Sequence, residues 1–596
     1  MVSTHSSALH PNQPPIGEKK SITGRLWSLR EVNERLSLAI SQQYSLPLLL
    51  AEIIARRGHT LESAYDFLKP TLKSLLPDPS HLKDLNRGVK RLIDAILTQQ
   101  KLVVFADYDV DGATASALLR RYFQDIGVEC GLYIPNRIEE GYGPNVPAIH
   151  HLKAQGYDVM IMVDCGSTAF EPLQTASDLK LDTIIIDHHV TQPKLPEVYA
   201  LINPNRFDED SPLTHLCAAG LAFVFLVGLH RQLRQYNWFD NRPEPDLRQY
   251  LDLVALGTVC DVMPLTGLNR AYVTQGLRVM TQRGNLGINQ LLDCAGLEEI
   301  PSAYHLGFIL GPRINAGGRV GQADFGSRLL TTQHLPEAQY LAEQLELYNK
   351  ERQVIESQVI EEALEQIHQK KLDHNPLIMV AGHNWHPGVI GIVASRLKER
   401  FNRPACVVGF AQGVGKGSGR SIPGFSLGSA MHTACHQGLL LYGGGHAMAA
   451  GFTVAQEKYE EFYGYLLSCF DDLPVLETSY ELDGLLALSA ISVDFVQQLG
   501  KLEPYGNGNP APRFGFHRIK IGYTTIVGQH HIKVDLVGED GVCVKAMAFR
   551  AVDTPLGDFL LKNRHQFCHV VGTLKLNTWL GKTDVTLIIE DIITLA

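Results

Sequence analysis

The sequence contains no Cys-x-x-Cys pair among its ten cysteines. Structural zinc sites and disulfide frameworks both draw on clustered cysteines, so neither is expected, and a reducing, cytoplasmic setting is. No apolar run approaches the ~20 residues that a membrane span needs. The longest, around residues 216–229, is expected as a buried helix. Residues 1–20 are polar, rich in Ser, His and Pro, and lack the apolar segment of a signal peptide. Internal repeats, low-complexity tracts and long charge runs are absent. Basic residues are not in excess: 53 Lys and Arg stand against 63 Asp and Glu, a net charge of −10. That excludes a uniformly basic nucleic-acid binder, but not a local basic groove, which a whole-chain sum averages away.

What is present is a chain of 596 residues, enough for roughly three to five domains of ~100–200 residues. Three short β-branched and apolar runs read as buried strands of a parallel sheet. Each ends in acidic or histidine residues. Residues 102–105 run into Asp107-Tyr-Asp-Val-Asp-Gly112, residues 159–163 into Asp164, and residues 183–186 into Asp187-His-His189. Ligands of such sheets bind outside the carboxyl ends of the strands. Asp107, Asp109, Asp111, Asp164, Asp187, His188 and His189 should therefore converge. So many carboxylates do not share one spot unless something positive holds them. Carboxylates mixed with imidazole suit manganese or magnesium, which predicts a metal-dependent phosphoryl-transfer site.

These residues carry a resemblance. Asp107-Tyr-Asp-Val-Asp-Gly-Ala-Thr114, Val163-Asp-Cys-Gly166, Asp187-His-His189 and Leu256-Gly-Thr-Val-Cys-Asp261 resemble the successive motifs of the DHH phosphoesterase superfamily. Gly415-Lys-Gly-Ser-Gly-Arg-Ser421 and Gly443-Gly-Gly-His-Ala-Met-Ala-Ala-Gly451 resemble the glycine-rich motifs of the DHH-associated domain. In this order they are similar to the single-strand-specific 5′→3′ DNA exonucleases of that superfamily, over nearly the whole chain after about residue 45. The resemblance implies hydrolysis of single-stranded DNA to 5′-mononucleotides with two Mn2+ or Mg2+ ions, in recombination and repair. It implies a single-stranded-DNA-binding protein as partner. A monomer without membrane attachment is the default expectation. By the same resemblance Asp109 binds one metal, Asp111 the other, Asp164 bridges them, and His188 and Asp261 complete the second metal's shell. Asp107 either ligates or orients the first metal's shell. Asp187 fixes a neighbouring imidazole's tautomer, and His189 either contacts a phosphoryl oxygen or ligates a metal. Two alternatives share the motifs: a small-substrate phosphoesterase, of oligoribonuclease or pyrophosphatase type, and a non-catalytic replication scaffold.

The expected architecture is two α/β domains joined by a long helix around a cleft, plus a C-terminal OB-type barrel. Residues 1–44 form a partly disordered lead-in. Residues 45–300, opened by two helical segments up to about residue 76, form the catalytic domain. Residues 301–375 connect, with a helix from Pro336 to Leu372. Residues 376–460 form the DHH-associated domain, and residues 475–596, with five strand-like runs, the barrel. Glycine clusters at 413–419 and 443–445 should supply two anion-friendly loops.

For phosphate binding, Ser418 and Arg420 offer a hydroxyl and a bidentate guanidinium. Arg137, Arg313, Asn315 and Arg319 are further candidates, with pairing to local carboxylates the alternative for Arg313 and Arg319. His446 either touches phosphate or caps a helix begun by the Ala-Met-Ala-Ala run; His383 and His386 are similarly ambiguous. In the barrel, Tyr523, His530, Lys533, Lys545 and Trp579 are candidates for stacking and phosphate contact. All the acidic ligands precede residue 262 and the glycine motifs precede residue 452. Hydrolysis is therefore expected to need no barrel side chain.

Overall fold

In the computed structural model, residues 16–17, 19–136, 140, 143–471, 479–579 and 582–595 are described, without the side chains of Thr578 and Trp579. They divide into two units: residues 70–473 with 506–509, and residues 1–69 with 474–505 and 510–596.

The first unit opens on five parallel strands: β1 (Leu102–Ala106), β2 (Cys130–Tyr133), β3 (Val159–Val163), β4 (Asp182–Ile186) and β5 (Ala200–Ile202). Their order is β2-β1-β3-β4-β5. Alternation explains the layers, because successive side chains in a strand point to opposite faces. Val104, Ala106, Ile161, Val163, Ile184 and Ile186 join helices Leu85–Leu97, Val110–Asp125 and Ala218–Gln235 in one core. Val103, Phe105, Met160, Met162 and Ile185 join helices Val146–Ala154 and Phe170–Asp178 in another. Both faces are thus covered, which is why these strands read as continuous apolar runs. The expected apolar helix is Ala218–Gln235, almost wholly buried along its first three turns. Among the described residues no helix is long and apolar enough to cross a membrane. Strand order reverses between β1 and β3, and such a switch point opens a crevice at the strand ends.

The 36-residue helix Leu335–Lys370 leads to a second sheet: β6 (Ile378–His383), β7 (Ala405–Ala411), β8 (Val414–Arg420), β9 (Tyr442–His446) and β10 (Ala449–Ala455). Its order is β9-β10-β8-β7-β6, with β6 and β7 parallel around helix Ile390–Phe401 and the other pairs antiparallel. The glycine clusters expected as loops are strands instead. Packing explains them: a Cβ on Gly417 would lie 2.2 Å from the Phe452 ring, and one on Gly419 2.4 Å from Leu427. Only Gln412 and Gly413, both at positive φ, form a loop, the tight turn between β7 and β8. The Ala-Met-Ala-Ala run begins no helix; it turns into β10, so His446 caps nothing helical.

The second unit holds the barrel. Strands Arg513–Val527, His531–Val537, Cys543–Ala548, Lys582–Thr594 and Phe567–Trp579 pair in that order, and the last pairs with the first to close it. Residues 45–69, expected to lead into the catalytic domain, belong here. Ile40, Leu50, Ile53, Ile54 and Phe67 share one core with Phe514, Phe516, Ile519, Leu587 and Ile592. Within the 1–44 lead-in, expected to be only partly disordered, strand Leu26–Leu29 pairs in parallel with Ser479–Leu482. Trp27 Nε1 donates to Asp591 Oδ2 (3.1 Å), and Arg57 pairs with Asp483 (3.2 Å). Helical periodicity marks a buried face without saying which distant segment buries it.

Candidate metal centre

Each acidic residue is set in place by a local backbone device. Beyond β1 the chain turns at Asp107 into helix Val110–Asp125. Asp109 caps that helix, its Oδ1 accepting from the amides of Asp111 (2.9 Å) and Gly112 (3.1 Å). Residue 112 must be glycine, since a Cβ would sit 2.3 Å from the Asp107 carbonyl oxygen. Asp111 is gripped at the N-terminus of helix Ala218–Gln235, where the amides of Ala218 (2.6 Å) and Ala219 (2.9 Å) donate to its two oxygens. Asp164, at the end of β3, has φ +60°, a left-handed conformation uncommon outside glycine. Asp187, beyond β4, accepts from the amides of Ser167, His188 and His189 and from His189 Nδ1 (2.7 Å). Asp261 arrives from elsewhere, at the end of helix Leu251–Cys260.

Three groups of ligand atoms lie within 4.8 Å of one another: Asp107, Asp109 and Asp164; Asp111, His188 and Asp261; and Asp164, His188 and His189. His188 Nε2 is 3.3 Å from Asp164, 3.6 Å from Asp261 and 3.8 Å from Asp111. Asp164 belongs to two of the groups and links the first to His188. Asp107, left open by the sequence, lies in the first of these groups. Asp187 lies in none of them; it holds His189, whose Nδ1 is thereby occupied.

Electrostatics shows what the cluster lacks. Burial, then repulsion from Asp109, Asp111, Asp107 and Asp261, pushes the Asp164 carboxyl well above its ordinary value. Burial and the same kind of repulsion lift Asp261 to about 9, and Asp111 rises as well. Asp261 Oδ2 is buried with no hydrogen-bond donor. Crowded hard oxygen ligands, one of them buried without a donor, fit divalent cations. Burial keeps His188 below its usual value despite nearby Asp111, which favours the neutral imidazole that ligates metals. Burial would lower His189 too, but the hydrogen bond and charge of Asp187 outweigh it and raise His189 to about 9. Asp187 is buried yet held below the ordinary carboxylate range by His189 and the Ser167 amide. With no cation bound, these shifts favour an ionised carboxylate paired with an imidazolium.

Sequence reasoning missed two asparagines. Asn203 Nδ2 donates to Ser167 Oγ and to the His189 carbonyl, both at 2.8 Å. Asn205 Nδ2 donates to the His188 carbonyl (2.6 Å) and to that of Thr214 (3.2 Å). The signal was Asn203-Pro-Asn205 directly after β5, a fourth strand end on the same side of the sheet.

Ser418 and Arg420 lie two apart on β8. Arg420 Nη1 donates to Ser418 Oγ (3.0 Å) and to the Gly419 carbonyl (2.8 Å). Among the described residues no carboxylate pairs with this guanidinium. A Cβ on Gly391, in the first turn of helix Ile390–Phe401, would touch both side chains at about 3 Å. Arg313 is engaged elsewhere, with Glu346 (2.6 Å) and the Ile309 carbonyl, so the pairing alternative describes it. Arg319 Nη1 donates to the Gly388 carbonyl (2.8 Å), and Asn315 is half-buried on the same helix, Gly311–Val320. Exposed His446 pairs in register with Ala449, which pairs with Arg420. His383 is exposed, and His386 Nδ1 accepts from the Gly388 amide. In the barrel Tyr523, His530, Lys533 and Lys545 are exposed, with the Arg564 guanidinium 5.3 Å from the Tyr523 ring centre. Arg137 and the Trp579 side chain lie outside the described residues.

Comparison with known proteins agrees with this geometry. Family models match in three places: the DHH family, N-terminal domain, over residues 101–258; the DHHA1 domain over 374–471; and the RecJ OB domain over 482–591. The single-stranded-DNA-specific exonuclease RecJ of Dickeya dadantii is 36% identical, with 92% of this chain and 96% of that protein aligned. The Escherichia coli protein of the same name is 34% identical over 94% of this chain and 98% of its own length. The crystal structure of RecJ in complex with Mn2+ from Thermus thermophilus superposes with a TM-score of 0.79 at 29% identity, covering 96% of this chain and 80% of that one. With three domain types in the same order and an acidic centre at the switch point of the sheet, the chain belongs to the RecJ family of DHH phosphoesterases.

Proposed function

We propose that this chain hydrolyses single-stranded DNA from the 5′ end and releases 5′-mononucleotides, using two Mn2+ or Mg2+ ions. The observation that carries this reading is the set of buried and half-buried ligand groups linked by Asp164. Asp107, Asp109 and Asp164 would hold one ion, and Asp111, His188, Asp261 and again Asp164 the other. Bound there, the two ions supply the charge and water activation that in-line displacement at phosphorus needs. The protein's own part is positional and electrostatic. Asp187 fixes the His189 ring through Nδ1 and keeps it cationic, so that His189 meets charge building on a phosphoryl oxygen. Ser418 and Arg420 receive a phosphate, and the absence of a carboxylate partner for Arg420 among the described residues supports that role. Tyr523, Lys533 and Lys545 give the barrel an aromatic and cationic surface suited to a single strand.

The RecJ OB domain argues against a small-substrate phosphoesterase, and the filled ligand positions argue against an inert scaffold. A role in recombination and repair, a single-stranded-DNA-binding protein as partner, a monomeric state and a cytoplasmic location complete the reading. Ten free cysteines accord with a reducing compartment. The test is degradation of 5′- and 3′-labelled single strands with Mn2+ or Mg2+, beside duplex and pyrophosphate controls. Early release of the 5′ label from single strands alone is the expected result. Attack from the 3′ end, or equal use of pyrophosphate, would reject it.

A further inference from the structure

Asp261 is held differently from the other ligands. Asp109 and Asp111 are fixed by amides at helix N-termini, and Asp164 by the end of a central strand. Asp261 Oδ2 has no donor, so the backbone around it must set its position. The next residue, Val262, has φ +58°, costly for a β-branched side chain, and is exposed. A strained residue persists only where its surroundings over-determine it.

Those surroundings come from a distant part of the chain. Residues 506–509 group with the catalytic unit, although the sequence on both sides, 474–505 and 510–596, groups with the barrel. Asn507 grips the segment after Asp261 twice: its Nδ2 donates to the Val262 carbonyl (2.7 Å), and its own carbonyl accepts from the Leu265 amide (2.7 Å). Gly506 and Asn509 exchange backbone hydrogen bonds of 2.9 and 3.2 Å, closing the loop on itself. Packing leaves no slack, since a Cβ on Gly506 would lie 2.7 Å from Leu265 and one on Gly508 3.0 Å from Pro264. Asn509 is buried.

We propose that Gly506–Asn509 is a positioning strap for Asp261, and that Asn507 acts through Val262 to hold that carboxylate where it completes the shell of the second ion. The proposal rests on the two-ion reading of the centre. Without the strap Val262 is free to leave its left-handed conformation, and the Asp261 carboxylate moves with it. The hydrogen bonds of Asn507 go to Val262 and Leu265, so the ion held by Asp107, Asp109 and Asp164 should bind as before. Groups that orient a metal ligand typically change metal affinity by about 10- to 100-fold when lost.

The test is a Mn2+ titration of the full-length protein without DNA, following free Mn2+ by electron paramagnetic resonance. Wild type should take up two ions, and Asp261→Asn should lose the one whose shell Asp261 completes. Asn507→Asp, which keeps the shape but removes the donor, should bind the first ion normally and the second about tenfold more weakly. Gly508→Val, which forces the strap away from Pro264, should do the same; if it unfolds, Asn507→Asp decides. In turnover, Asn507→Asp should lose kcat at low Mn2+ and recover it at high Mn2+, with KM for DNA unchanged. Two ions bound with wild-type affinity by Asn507→Asp would overturn the proposal, as would equal weakening of both. Normal uptake of two ions by Asp261→Asn would instead reject the reading of the centre on which it depends.

Discussion

Replacing Arg420 by alanine should reduce activity on 5′-phosphorylated strands far more than on 5′-hydroxyl strands. The guanidinium is largely buried, and burial holds its pKa below the ordinary arginine value. Its only hydrogen-bond acceptors among the described residues are the Ser418 hydroxyl and the Gly419 carbonyl, both neutral. A cation so placed gains most from an anion that arrives with the substrate. Charge-assisted hydrogen bonds contribute about 1.5–3 kcal/mol, and tenfold in rate corresponds to about 1.4 kcal/mol. The 5′-phosphate preference in kcat/KM should therefore fall by roughly 10- to 100-fold. Loss of side-chain packing lowers both rates together, so the ratio isolates the phosphate contact. Arg420→Lys should recover part of the preference, since it restores charge without the bidentate fork. The assay compares kcat/KM on single-stranded oligonucleotides differing only in the terminal phosphate, at one fixed salt concentration because phosphate contacts are salt-dependent. Equal losses on the two substrates would refute the assignment and move Arg420 to internal or scissile phosphates.

Asp164→Asn should abolish cleavage while raising the melting temperature of metal-free protein, because it removes a charge that burial and then four neighbouring carboxylates disfavour; unchanged turnover would remove Asp164 from the centre. Asn205→Ala frees the His188 carbonyl, and kcat should fall by about tenfold with the fold intact by circular dichroism. A fall seen only in KM would place Asn205 outside the metal shell. The barrel should lose stability in acid. The His569 ring lies 4.6 Å from that of His517, tilted against it, and burial, then the charges of His517, Arg518 and Lys19, lower it to about 4. The unfolded chain, with a value near 6.5, binds that proton more readily, so stability is full above about 6.5 and declines as pH drops towards 4. After allowance for solvent screening the loss is about 1–2 kcal/mol. Chemical denaturation of His569→Phe between pH 7 and 5 should show a flatter profile, and an unchanged slope would acquit His569.

The sequence alone disclosed the parallel sheet and its site because both rest on local signals. Apolar runs such as 102–105 and 159–163 lack alternation only when both sheet faces are covered, and the end of each run marks where a ligand crevice opens. Asp107, Asp109, Asp111, Asp164, Asp187, His188 and His189 were legible for that reason. The long helix and the five barrel strands were legible from periodicity. Loop-like glycine runs misled, because the glycines of β8 serve the rings and side chains packed on them from β10 and helix Leu427–His436. A glycine records that something lies close, not what it is.

Tertiary structure alone decided three matters. It assigned helices Glu34–Tyr44, Leu48–Arg56 and Ser63–Leu68 to the barrel core, because an apolar face carries no address. It separated Arg313, neutralised by Glu346, from Arg420, which no described carboxylate meets; ion pairing depends on distances across the fold. It also brought Asn507 onto the backbone beside Asp261, 246 residues away in sequence, where one hydrogen bond reaches the strained Val262 and another Leu265. Residue types and their local order specify which chemistry a chain can perform. The distances at which that chemistry is held depend on long-range packing, which periodicity and motif spacing do not encode.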